Sequence, residues 1–144
     1  GFLRTTPGNK VHYRFVVDWF VEMQNEYDIY LPWIGYDSWS AQYFVEEMQG
    51  YFGKDAMIPV IQGKKTLSGP MKSMGADLES KKINYNNNPI TKWNLSNTSV
   101  EIDKNDNIQP SKGKQQRKRI DGTAAMLNAY VNYQDKNQDY MNLV

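Results

Sequence analysis

The most constraining feature of this sequence is a nearly continuous apolar run of strand length, Ile29-Tyr30-Leu31-Pro32-Trp33-Ile34-Gly35-Tyr36, that stops at Asp37-Ser38. Continuous rather than alternating apolarity marks a strand covered on both faces. Asp37-Ser38 carries a helix N-cap signal. An amphipathic segment with Ala41, Phe44, Val45 and Met48 on one face follows and runs to about Phe52, where Gly53 ends it. Met57-Ile58-Pro59-Val60-Ile61 is a second strand, and its proline favours an edge. Strand, helix and strand in succession predict a right-handed βαβ unit with a parallel pair, and hence an α/β fold.

The surrounding segments fit one domain over 1–144. Residues 1–9 read as an extended entry and turn. Tyr13, Val16, Val17, Phe20 and Tyr27 recur at helical spacing. After the loop QGKKTLSG, a helix is expected to begin at Pro70, a residue suited to a first helical position, and the Asn-rich stretch 84–88 breaks it. Residues 89–97 read as a weaker helix. Val100-Glu101-Ile102 and Asn107-Ile108-Gln109 flank a polar turn and predict a hairpin. A last helix starts near Ile120 with Ile120, Ala124, Leu127 and Val131 as its apolar stripe, and the tail from about 135 is expected to be mobile.

Composition narrows the chemistry. The 144 residues are 40% hydrophobic and 13% aromatic, enough for a real core. Mean hydropathy is −0.74, and no run approaches the roughly 20 apolar residues of a membrane-spanning helix. There is no cysteine and one histidine, which excludes disulfides, thiolate sites and His-rich zinc sites. A metal here would be a hard cation on oxygen ligands. No GxSxG, Walker-A or GxGxxG pattern is present.

The net charge of +1 conceals an uneven distribution. Lys112, Lys114, Arg117, Lys118 and Arg119 place five cations within eight residues with no acid among them. Such a run binds phosphates, or it is a solvated loop beside a helix. Asp37, where a strand meets a helix, is either an N-cap or a site carboxylate at the carboxyl end of a strand. Asp121, in the first turn of the last helix, is either a partner of the helix dipole or a metal ligand carried by a helix across the sheet. Asp103-Lys104-Asn105-Asp106-Asn107 opens like a calcium loop, but Ile108 stands where glycine is required and Lys114 where the bidentate Glu belongs. It reads better as a hairpin turn. His12 reads as a surface or capping side chain. Asn94 and Asn97 begin Asn-x-Ser sites that mean little without a secretory route.

Four segments, in order, resemble the terminase large subunit family of bacteriophages. They are Gly1 to Asn9 (GFLRTTPGN), Ile34-Gly35-Tyr36-Asp37-Ser38-Trp39, Asn88-Pro89-Ile90-Thr91-Lys92-Trp93 with Asn97, and Lys118-Arg119-Ile120-Asp121-Gly122 followed by Ala124-Ala125. The resemblance covers the chain to about residue 133 and implies the C-terminal nuclease domain, an RNase H-like mixed sheet flanked by helices. It implies Asp37 and Asp121 as the second and third catalytic acids, binding Mg²⁺ or Mn²⁺ in a two-metal site that hydrolyses phosphodiesters. Lys112, Lys114, Arg117, Lys118 and Arg119 would then guide the DNA backbone. The family's first catalytic Asp lies on a strand preceding GFLRTTPGN, so the chain is expected to lack its opening strands, the first acid and the ATPase domain that accompanies it in cis. Neither Asp18, on the polar side of the first helix, nor Asp28, before a strand, replaces that acid. By itself such a chain is expected to be inactive.

The partners implied are double-stranded DNA, the portal protein and the terminase small subunit, in the cytoplasm of a bacterial host and with no membrane. Two other readings compete with it. One is a non-catalytic DNA-binding or portal-docking module; the other is an RNase H-like enzyme of the transposase, integrase or resolvase type, which the GFLRTTPGN and RIDG segments fit poorly.

Overall fold

The computed structural model describes residues 3–39 and 42–143. The expected contributions of Gly1, Phe2 and Ala41 lie outside the described residues. Helix α1 spans Tyr13–Tyr27, and His12 is its N-cap, its Nδ1 accepting the Arg14 N–H at 3.3 Å. The preceding segment is tied to this helix by Arg4, whose guanidinium meets both carboxylate oxygens of Glu22 at 2.5 and 2.6 Å. Helix α1 ends where Asp28 turns left-handed at φ 52° and donates its N–H to the Met23 carbonyl.

Strand β1 is Ile34–Asp37, shorter than the expected 29–36. Its partner β2, Met57–Val60, offers only four residues of backbone, because a 3₁₀ turn over Lys54–Ala56 precedes it. Residues 29–33 therefore have no ladder to join, Pro32 has no N–H to give one, and Ile29 and Tyr30 remain exposed. The two strands are parallel, with Ile34 opposite Met57, Tyr36 opposite Pro59 and Asp37 opposite Val60. Helix α2, Gln42–Phe52, connects them.

Helix α3 is Lys64–Glu79, so Pro70 lies inside it rather than at its start. The turn begins earlier because Gly63 supplies the entry conformation at φ 116° and its carbonyl accepts from both Thr66 and Leu67. Gly69, directly before the proline, has no Cβ to clash with the ring, which eases the helical conformation there. Asn86 and Asn87 turn left-handed at φ 51° and 49° and reverse the chain into α4, Pro89–Asn97. The Asn88 side chain caps α4 by accepting from Ile90 and Thr91 at 2.9 and 3.1 Å.

Strands β3 (Ser99–Ile102) and β4 (Ile108–Ser111) form a separate antiparallel hairpin. Its turn is organised by Asp103, whose Oδ1 accepts the N–H groups of Asn105 and Asn107. Those N–H groups, Asn107's first and then Asn105's, hold the Asp103 carboxyl below the usual carboxylate range. Its oxygens are committed to the turn, as the hairpin reading expects. Helix α5 begins at Asp121 and continues to Met141, beyond the end expected near Gln134.

Alternation along β1 produces three layers. Ile34 and Met57, paired across the ladder, pack with Val17 and Met48 under α1 and α2. Val60 faces the other way, packing with Leu67, Met74, Leu127 and Tyr130 of α3 and α5. The parallel pair is thus covered on both faces, as its unbroken apolarity requires. Gly35 and Asp37, alternating with Ile34 and Tyr36, belong to the α5 side.

Candidate functional site

Helix α5 crosses β1 in the opposite direction to the strand. Three contacts fix this polarity. The Lys136 ammonium lies 5.7 Å from the centre of the Trp33 ring. A Cβ at Gly35 would stand 2.7 Å from the Asn128 carbonyl oxygen and 3.1 Å from Asn132 Nδ2. Beyond β2, Gln62 Nε2 donates to Asn128 Oδ1 at 3.2 Å. As β1 advances from Trp33 toward Asp37, the facing residues of α5 therefore run back from Lys136 toward its N-terminus. The step from Gly35 to Asp37 is about 7 Å. It corresponds to between roughly four and five residues of helix, reaching about one turn short of Asp121. Asp37, at the carboxyl end of β1, and Asp121, the first residue of α5, are both exposed.

Asp37 does not cap α2. Its Oδ1 accepts the Trp39 N–H at 3.0 Å, closing a local turn over Ser38 and Trp39 that lies outside the described helix, Gln42–Phe52. One carboxylate oxygen is thereby oriented, and among the described residues none bonds the other. The structure leaves Asp121 in the first turn of α5, where the helix dipole also favours it.

The segment carrying Asp121 is held by a set of contacts that the sequence reading missed. Ile120 occupies the N-cap position of α5 and has no side chain able to cap it. Asn94, buried in α4, supplies the acceptor instead: its Oδ1 takes the Gly122 N–H at 2.9 Å, and its Nδ2 donates to the Ile90 carbonyl at 3.0 Å. Asn97 Nδ2 donates to the Arg119 carbonyl at 3.0 Å, and the hydroxyls of Thr98 and Thr123 bond at 2.8 Å. A Cβ on Gly122 would stand 2.9 Å from Asn94 Cγ, so glycine allows this approach. The available signal was Ile120 itself. An apolar N-cap implies a cap from elsewhere.

The basic run forms the loop between β4 and α5 and leads directly into Asp121. Lys114, Arg117 and Arg119 are exposed, and Lys112 and Lys118 are half-buried. Among the described residues none of the five forms an ion pair. Two exposed carboxylates without cysteine or histidine suit a hard cation such as Mg²⁺ or Mn²⁺. Among the described residues no group of three Asp, Glu, His or Cys side chains is close enough to hold an ion. No helix among them is long and apolar enough to cross a membrane.

The fold matches the crystal structure of the HK97 bacteriophage large terminase with a TM-score of 0.78 and 25% identity, over 90% of this chain. The match spans 26% of that longer chain. The similarity bears out the expected RNase H-like α/β class. No curated protein sequence matches the chain. The family model described as "Terminase large subunit, endonuclease domain" matches residues 8–137. With that match over most of its length, the chain belongs to the endonuclease domain family of terminase large subunits.

Proposed function

We propose that this chain is the part of a metal-dependent endonuclease that cuts double-stranded DNA during phage genome packaging, with Asp37 and Asp121 as metal ligands. What supports the reading is the antiparallel crossing of α5 over β1, with the basic loop leading into Asp121. Asp37 and Asp121 would hold Mg²⁺ or Mn²⁺ through anionic oxygen, the donor such ions prefer. When bound, the ions supply water activation and charge stabilisation at the leaving 3′ oxygen. Lys112, Lys114, Arg117, Lys118 and Arg119 would neutralise backbone phosphates and orient the duplex without reading its sequence.

In the longer protein, an ATPase domain in cis, the portal protein and the terminase small subunit are the expected partners, in the cytoplasm of a bacterial host. Two carboxylates make an incomplete ligand set for clamping both the attacking and leaving oxygens. This chain alone is therefore expected to nick DNA feebly or not at all.

The test is Asp121→Asn in the full-length protein. Cleavage should fall by more than about a hundredfold, because losing a ligand should exceed the roughly 10–100-fold effect of losing an outer-shell partner. DNA affinity should hold, since no cation is removed. Undiminished cleavage by Asp121→Asn would refute the assignment. A protein that binds DNA but never cleaves, whatever the metal, would instead be a docking or DNA-binding module.

A further inference from the structure

We infer that Asn94 is a positioning residue for the metal site: it caps α5 from another helix so that the Asp121 carboxylate does not have to. The inference rests on the proposed role of Asp121 as a metal ligand. Its physical basis is a competition at the start of α5. The first turn of any helix presents N–H groups without internal partners, and they are satisfied by side chains, water or ligands. Asp is among the best residues for that task, accepting from N–H groups two or three positions along. Asp121 is followed by Gly122, Thr123 and Ala124. If the helix began one residue later, Asp121 would become its N-cap, with its carboxylate folded back onto the Thr123 or Ala124 N–H. A carboxylate engaged in this way would be a poorer metal ligand.

Three features hold the helix in the other register. Ile120 takes the N-cap position, and its carbonyl accepts the first helical bond from Ala124 at 2.9 Å. Asn94 Oδ1 satisfies the Gly122 N–H at 2.9 Å, supplying the acceptor that Ile120 lacks. Asn94 is itself immobilised, being 5% exposed and tied through Nδ2 to the Ile90 carbonyl. On either side of Asp121, Asn97 holds the Arg119 carbonyl and Thr98 holds Thr123. The backbone of Asp121 is thus fixed to α4 from both directions while its carboxylate remains exposed. Asn94 touches neither metal nor DNA in this account and acts entirely through Asp121.

The experiment is a Mn²⁺ titration of this chain, followed by the loss of the free-ion electron paramagnetic resonance signal, with helix content monitored in parallel by circular dichroism. The parent chain should bind Mn²⁺ weakly, and Asp121→Asn should abolish that binding. Asn94→Ala should weaken it by about tenfold or more, the range found when an outer-shell partner of a metal is lost. Gly122→Ala guards against a poorly folded Asn94→Ala. Its Cβ would displace the Asn94 carboxamide while leaving Asn94 in place, and the same loss is expected. Folded Asn94→Ala and Gly122→Ala variants with parental Mn²⁺ affinity, alongside an Asp121→Asn variant that no longer binds Mn²⁺, would overturn this inference and leave the metal site standing. A parent chain whose Mn²⁺ binding is absent, or unchanged by Asp121→Asn, would overturn the metal site and this inference with it.

Discussion

Gly35 of β1 lies directly against the backbone of Asn128 in α5, so close that a methyl group at Gly35 would stand 2.7 Å from the Asn128 carbonyl oxygen. This approach sets the helix on the strand and so fixes how far Asp121 lies from Asp37. A backbone carbonyl in a regular helix cannot swing aside as a long side chain can. Gly35→Ala should therefore push α5 off β1, destabilising the fold by about 1–3 kcal/mol, the usual range for overpacking. Urea unfolding should show a lower midpoint with little change in slope. Parental stability would mean that helix and strand adjust freely, and that the geometry at the site is softer than described.

On the other side of α5, the Tyr130 hydroxyl donates to Asp77 Oδ2 at 2.6 Å. That bond, reinforced by burial, pushes the Tyr130 pKa from 10.0 up to about 12. A pKa raised by folding contributes stability that is fully present below the unfolded value and lost as pH rises through the folded one. The Tyr130 contribution should thus hold up to about pH 10 and disappear between pH 10 and 12. Tyr130→Phe should cost about 1.5 kcal/mol at neutral pH, typical of a hydrogen bond to a charged group. It should also remove the alkaline component between those values. An unchanged alkaline profile in Tyr130→Phe would show that another group is responsible.

Replacing Lys114, Arg117 and Lys118 together with alanine in the full-length protein should weaken DNA binding and flatten its salt dependence. If each contacts one phosphate, the slope of log affinity against log salt should fall by about 2.7, at roughly 0.9 per contact. Equilibrium binding measured across a salt series distinguishes this from general destabilisation, which would leave the slope intact. No change in slope would return the run to a solvated loop.

The elements that rest on local pattern were legible in the sequence. Helix α1, the end of α2 at Phe52, the parallel pairing of β1 with β2 and the hairpin around Asp103 all follow from periodicity, glycine, or a side chain that bonds its own turn. Elements decided by distant partners were not. Strand β1 is cut to four residues by the length of β2, and Pro70 is absorbed into α3 because the turn begins at Gly63. At the candidate site, Asp37 and Asp121 could be named, but nothing local indicates that α5 runs antiparallel to β1. Asn94 was invisible for the same reason. Its role depends on a hydrogen bond to Gly122, 28 positions away.

Asp37 and Asp121 are proposed to bind metal together. A crystal of the full-length protein soaked in Mn²⁺ tests this directly, through the anomalous signal of the ion. The expected result is an ion with carboxylate oxygens of both Asp37 and Asp121 in its coordination sphere, or a pair roughly 3.5–4 Å apart that the two residues share. Ions bound elsewhere, or a fully occupied site touching only one of the two aspartates, would contradict it.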